Sequence, residues 1–201
     1  MAQAPTVLVS STFYDLKQVR QDLAAFLTDD LGYSPLLSEL ASFPVSPDLD
    51  TVQNCVRRVE DDTDCLILVV GGRYGSIDDR SAKSVTNLEY LAARRKGIPI
   101  FVFVESRILS ILPVWKANPD ADYSTVVDTP ELFQFVQTIR DEQKTWVFPF
   151  ETAQDIVKTL RIQFANLFLE GLRWRLRLRG AGTPSYYQHA GPQTVKIGLE
   201  K

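Results

Sequence analysis

The chain has 201 residues, 45% hydrophobic and 23% charged. That is a globular composition, which excludes disorder as the main state and is large enough to bury a core without a metal or disulfide staple. Its 22 Lys plus Arg against 25 Asp plus Glu leave a net charge of −3, which is not the electrostatic footprint of a nucleic-acid binder. The single histidine, His189, lies in a Gly/Pro-rich segment and leaves no imidazole set for a zinc site or a Ser-His-Asp triad.

Strand and helix signals alternate from the start. Residues 6–10, β-branched and apolar, read as a strand buried on both faces. Thr12 with Asp15 resembles a capping box, and Leu16, Val19, Leu23, Phe26 and Leu27 then share one helical face that Gly32 closes. Residues 33–39 read as a second, less regular strand and residues 41–50 as a loop. Val52, Cys55, Val56 and Val59 give a helical stripe. Residues 65–70 are the strongest strand, stopped by Gly71-Gly72, and a glycine- and charge-rich loop covers residues 73–83. A helix is expected over residues 86–96, ended by Gly97 and Pro99, followed by a strand over residues 100–104.

The second half is less periodic. Residues 108–127, with two prolines, read as a long excursion holding at most a short helix. Residues 130–141 read as a helix with Leu132, Val136 and Ile139 inward, and residues 145–148 as a fifth strand before Pro149. Residues 152–179 read as a long helix with an interruption at Gly171, and residues 180–201 as a poorly packed tail, so the division is an α/β domain over 1–179 and a tail over 180–201. Short apolar strands alternating with amphipathic helices predict a parallel sheet covered on both faces, flavodoxin-like, in the order 2-1-3-4-5. Ligands of such sheets bind beyond the carboxyl ends of the strands, beside the switch between strands 1 and 3.

Three segments meet there. Ser10-Ser11-Thr12 brings hydroxyls and backbone N–H groups toward a helix start, where they either hold an anion or simply cap the helix. Gly71-Gly72-Arg73-Tyr74-Gly75 allows close backbone approach and offers a charge and a stacking ring, with a glycine spacing that is neither a Walker loop nor a dinucleotide fingerprint. Thr86-Asn87-Leu88-Glu89-Tyr90 opens the next helix. Glu89 there is either a carboxylate favoured by the helix dipole or a carboxylate that stabilises an oxocarbenium-like centre while a glycosidic bond breaks. Glu39, ending strand 2, is the other carboxylate placed near this crevice.

Cys55 and Cys65 sit among apolar residues and read as buried reduced thiols. The opening Met-Ala-Gln-Ala-Pro lacks a leader pattern and no apolar run approaches the roughly 20 residues of a membrane span, so a soluble cytoplasmic protein without a membrane partner is expected. Arg173, Arg175, Arg177 and Arg179 read as a solvated face or a junction rather than a nucleic-acid contact. The long helix is apolar on two sides, with Ile162 and Leu169 on the second and Trp174 just beyond. This predicts a homo-oligomer, most simply a two-fold dimer, unless the excursion over residues 108–127 covers that side.

The run Val9-Ser10-Ser11-Thr12-Phe13-Tyr14-Asp15-Leu16 with Arg20, then Asp62, Gly71 to Gly75, Ser84-Val85-Thr86-Asn87-Leu88-Glu89-Tyr90 and Gly97-Ile98-Pro99, resembles a TIR-like family of formerly unknown function. That family is found N-terminal to NACHT- and other STAND-type ATPases, in defence proteins and signalling scaffolds, and is related to TIR domains and nucleoside deoxyribosyltransferases. The resemblance covers residues 5–105 well and residues 145–169 more loosely. It implies that Glu89 is the catalytic carboxylate at the ribose carrying nicotinamide, with NAD⁺ as substrate, no resident cofactor and no metal. It further implies Ser11 and Thr12 near the phosphates, Arg73 and Tyr74 lining the pocket, and Phe13 or Phe43 as an aromatic wall. With Ser10, Glu39, Gly72, Thr86 and Tyr90 these complete the expected substrate-binding set. The implied partners are a nucleotide, a second copy of the chain, and a fused or associated STAND/NACHT ATPase. Many TIR domains are adaptors without activity, so a non-catalytic assembly module or a nucleotide-binding sensor is the alternative.

Overall fold

A computed structural model describes residues 4–143 and 145–180. Five parallel strands form one sheet in the order β2-β1-β3-β6-β7, the expected doubly wound arrangement: β1 (Thr6–Ser10), β2 (Ser34–Leu36), β3 (Cys65–Val70), β6 (Ile100–Glu105) and β7 (Val147–Phe150). The helices between them are α1 (Lys17–Ala25), α2 (Thr51–Asp62), α3 (Val85–Lys96), α4 (Ser106–Ala117), α5 (Glu131–Gln137) and α6 (Ala153–Gly180). Contacts cluster the sheet and its helices into a compact unit that ends at Val157; a second unit begins at Lys158, within α6.

The strands are buried on both faces because side chains alternate across the pleat. Leu66, Leu68, Val70, Val102 and Val104 join one apolar cluster with Tyr90, Ala93, Leu112 and Phe133. The intervening Val7, Val9, Ile67, Val69 and Phe103 point the other way and are equally buried. A sheet apolar on both sides has to be covered on both, and the crossover helices do so.

Several elements differ from the sequence reading. Thr12 and Asp15 cap nothing: Thr12 Oγ1 donates to Asp15 Oδ1 at 2.5 Å, and α1 starts later, with Leu16 at its N-cap and no side-chain cap. The second strand is three residues long rather than seven, and Glu39 lies beyond it in a turn. The glycine-rich loop contains a small antiparallel hairpin, β4 (Ile77–Asp78) with β5 (Lys83–Ser84), too short to show a period. The excursion over 108–127 begins instead as a twelve-residue helix, α4, in which Ile108, Leu112 and Trp115 are buried at helical spacing; Pro113 inside it hid the pattern. The fifth strand sits two residues later than expected and includes Pro149, which an edge strand tolerates. Helix α6 runs through Gly171 without a break. The expected tail, apart from Gly180, lies outside the described residues. Among those described, no helix is long and apolar enough to cross a membrane.

Helix α3 is set by its ends. Ser84 is buried at its N-cap and accepts from Asn87 N at 3.2 Å, while Gly97 closes it in the left-handed conformation at φ +76°. Ser84→Ala is expected to lower stability by about 1 kcal/mol in urea unfolding, and Ser84→Thr to recover most of it.

Candidate functional site

The carboxyl ends of β1 and β3 open into a crevice of about 590 Å³. Its walls come from the β1–α1 loop (Ser11, Thr12, Phe13, Tyr14), Arg20 of α1, Ser38 and Glu39 beyond β2, Thr51 and Cys55 of α2, Arg73, Gly75 and Ser76 of the glycine loop, Thr86 and Glu89 of α3, and Asp128 of the α4–α5 loop. This is the switch point of the sheet, where loops from β1 and β3 diverge to opposite faces.

Glu89 lies in the first turns of α3 and is 5% exposed. Ser10 Oγ, at the end of β1 and itself buried, donates to Glu89 Oε2 at 2.5 Å. Burial pushes the Glu89 carboxyl up to about 6; the Ser10 hydrogen bond, the Arg20 charge and the Cys55 thiol each pull the other way without cancelling it. Cys55, in turn, is pushed up to about 12 by burial and by the neighbouring Glu89 charge, so it is a neutral thiol rather than a nucleophile. Glu89 has no salt-bridge partner among the described residues.

Glu39 is bound differently. The Arg20 guanidinium grips it as a fork, Nε to Oε1 at 2.7 Å and Nη2 to Oε2 at 2.5 Å. Burial raises the Glu39 carboxyl, but the hydrogen bonds and charge of Arg20 outweigh that and leave it below the ordinary carboxylate value. Arg20 Nη1 also donates to Val9 O, Ser11 O and Ser11 Oγ, at 3.0, 3.2 and 2.8 Å.

The rim carries aromatic rings and cations. Phe13 and Tyr14 meet edge to face at 5.6 Å, Arg73 lies over the Tyr14 ring at 5.9 Å, and Lys17 over Phe13 at 5.8 Å. Tyr14 is 82% exposed, a ring held at the mouth rather than packed away. Gly75, at φ +86°, lets the loop pass Thr12: a Cβ there would stand 2.9 Å from Thr12 Cγ2.

The structure thus brings Ser11, Thr12, Phe13, Glu39, Arg73, Thr86 and Glu89 together around the crevice, with Ser10 behind Glu89. Four expected residues lie elsewhere. Gly72 packs where a Cβ would meet Arg107 Nη2 at 2.7 Å and Val126 O at 2.9 Å, so it serves loop packing. Tyr74 is buried against Phe135, and only its backbone N–H reaches the crevice wall, donating to Asp128 Oδ1 at 2.8 Å. Tyr90 faces the core, edge-on to Phe135 with its hydroxyl 2.8 Å from Thr145 Oγ1. Phe43 is likewise buried in the core cluster, leaving Phe13 and Tyr14 as the aromatic wall. The Ser10-Ser11-Thr12 run does not sit on a helix end, because residues 13–16 separate it from α1.

Arg20, Cys55, Tyr14 and Asp128 were not among the expected site residues, although Arg20 and Tyr14 stand in the run that carries the resemblance and Cys55 reads as a buried thiol. Arg20 was legible: Leu16, Arg20, Leu23 and Leu27 fall on one buried helical stripe, and a charge on such a stripe requires a buried partner. Asp128 had no such signal, since its place depends on how the α4–α5 loop folds back.

A broader depression of about 750 Å³ lies beside β7 and α4, lined by Leu109, Ser110, Trp146 and Pro149. Its charged groups, Arg140 and Asp141, are exposed, and Asp141 is bridged to Lys116. It offers volume without a buried reactive group, so the smaller crevice is the candidate site. Among the described residues no cluster of His, Cys, Asp or Glu could hold a metal ion.

Residues 6–165 match the pattern of a family described as a domain of unknown function, DUF4062. No curated protein and no solved structure matches the chain.

The burial of Glu89 has a measurable consequence for stability. Its carboxyl titrates near 6 in the folded chain and near the ordinary 4.5 in the unfolded one. Between those values the folded state binds more protons, so stability falls as pH rises through the window, by about 2 kcal/mol in all. Glu89→Gln is therefore expected to be more stable than the parent by up to about 2 kcal/mol at pH of about 8, with the advantage gone at pH of about 4. Urea unfolding at the two pH values measures this; a Gln variant weaker at both would mean that the ionised carboxylate supports the fold.

Proposed function

The chain belongs to the DUF4062 family, and on that footing we propose that it is a TIR-like effector or signalling domain that cleaves the nicotinamide–ribose bond of NAD⁺. The family is TIR-like and is often found N-terminal to NACHT- and STAND-type ATPases. The observation that carries the reading is Glu89: a carboxylate buried in a crevice at the switch point, held by one hydroxyl, and not consumed by an ion pair. A structural glutamate at this depth would be expected to carry a cationic partner, as Glu39 does.

The chemistry suits such a group. As the bond from the anomeric carbon to the nicotinamide nitrogen breaks, its electron pair goes to the leaving nicotinamide and positive charge develops on the ribose. The Glu89 carboxylate stabilises that charge, and water completes the hydrolysis by giving its oxygen to the anomeric carbon and its proton to solvent, so that Glu89 ends as it began. The Phe13 and Tyr14 rings and the Arg73 cation at the mouth suit a nucleotide, with a base to stack and phosphates to pair. Incubating concentrated protein with NAD⁺ and counting free nicotinamide tests the reading. Turnover is expected, reduced at least about a hundredfold in Glu89→Gln and rising with pH through about 6 as the carboxyl ionises. Absence of turnover under every clustering condition, or full turnover in Glu89→Gln, removes it.

A second observation bears on assembly and favours the reading of an interaction module, alone or beside the enzyme. Within the unit from Lys158, Ile162, Phe168, Leu169, Leu172, Trp174, Leu176 and Leu178 are all exposed, Phe168 and Leu176 by 69 and 65%. Exposed apolar side chains in this number support the reading of a contact surface. We propose that it joins copies of the chain, with a fused or associated NACHT/STAND ATPase gathering them in a defence or signalling pathway. Light scattering is expected to find an oligomer that an Ile162→Glu/Leu169→Glu double variant converts to monomer; a monomeric parent chain refutes this assembly.

A further inference from the structure

Ser10, the residue that holds Glu89, is flanked by two carbonyls, those of Val9 and Ser11, and one guanidinium nitrogen binds both. We propose that Arg20 is the positioning residue of this crevice: it clamps the backbone on either side of Ser10, so aiming that hydroxyl at Glu89, and it supplies a positive charge that Glu39 attenuates. The proposal rests on the reading of Glu89 as the working carboxylate and adds to it the groups that set its state.

Three observations carry it independently of any titration. The Arg20 side chain is 3% exposed, so its charge acts through protein rather than water. Its donors are committed to five acceptors: the two Glu39 oxygens, Val9 O, Ser11 O and Ser11 Oγ. This fixes the guanidinium as a planar fork, a geometry lysine cannot reproduce. And the residue between the two clamped carbonyls makes a 2.5 Å bond to the carboxylate in question. Side chains from α1, β1 and the turn beyond β2 are thereby linked in one network that ends on α3.

The charged and titratable groups lining the crevice are Tyr14, Arg20, Glu39, Cys55, Arg73, Asp128 and Glu89 itself, with Lys17 at its rim. Of these, the Arg20 charge and the Cys55 thiol act on Glu89 and favour its ionised form, while Arg73 and Asp128 are exposed to solvent and screened by it. Removing the Arg20 charge must therefore make Glu89 harder to ionise. Removing the Glu39 charge leaves the guanidinium uncompensated and must make Glu89 easier to ionise. Opposite signs from two partners of one salt bridge distinguish a charge device from a structural pair, whose loss would loosen the same packing either way.

The test is a carbon-13 titration of the Glu89 carboxyl in the full chain, its signal identified by its loss in Glu89→Gln. From about 6 in the parent, the midpoint is expected to rise in Arg20→Gln and to fall in Glu39→Gln, with Arg20→Lys between Arg20→Gln and the parent because it keeps the charge and loses the fork. Midpoints that move the same way, or a Glu39→Gln midpoint that stays at 6 or rises, overturn the proposal. Should Arg20→Gln fail to fold, Glu39→Gln and Arg20→Lys decide it alone. Turnover is not part of the readout: opposite shifts in a protein that leaves NAD⁺ intact would support the clamp and remove the glycohydrolase reading, and turnover with unmoved midpoints would do the reverse.

Discussion

A guanidinium buried beneath the carboxyl end of β1 is the constraint around which the crevice is organised. Taking the Arg20 charge out of water costs several kcal/mol, which only a well-formed set of acceptors offsets. Here a bidentate carboxylate and two backbone carbonyls provide it, together with the Ser11 hydroxyl. Those acceptors lie at the end of β1, in the loop that follows it and in the turn after β2. The ion pair therefore ties together three segments that the sheet alone would leave free to diverge.

The second carboxylate of the site shows the other way of burying a charge. Glu39 is ionised and paired; Glu89 is buried beside a hydroxyl and a thiol, and its ionisation is opposed by its surroundings. Two glutamates in one crevice are driven apart in behaviour by environment alone, which is how one fold assigns different roles to the same side chain. The arrangement is poor for stability at neutral pH, because burial opposes the ionised form of Glu89. Phe13, Tyr14 and Arg73 add aromatic rings and a cation at the mouth of the same crevice.

The remaining loops are positioned by smaller devices acting between distant segments. Asp128 accepts from Tyr74 N and its own N–H donates to Gly72 O at 2.9 Å, so the α4–α5 loop and the glycine loop are joined by two hydrogen bonds at the crevice wall. Gly72 and Gly75 allow the approaches this requires, one toward Val126 and the other toward Thr12. The crevice therefore depends on several separate loops being held in place at once.

The order of the sheet, its parallel sense and the place of the crevice were legible in the sequence, because strands buried on both faces read as unbroken apolar runs and a doubly wound sheet has its ligand end at the strand switch. Glu89, Ser11, Thr12 and Arg73 could be placed there from their positions just after strands or at a helix start. Helix α4 could not be read from its pattern because Pro113 interrupts it, and the hairpin β4–β5 was too short to show one. Tertiary packing alone decided which neighbours face the crevice: Tyr74 and Tyr90 turn into the core because Phe135 meets them there, while Tyr14 remains at the mouth. It also decided which carboxylate is free. Sequence places Glu39 and Glu89 near one crevice, and the family resemblance singles out Glu89, but neither shows which of the two is paired. The difference arises because Arg20, one turn along the buried stripe from Leu16, reaches Glu39 with both arms of its fork and leaves Glu89 to a hydroxyl, a partition fixed by distance and burial, which a linear pattern does not encode.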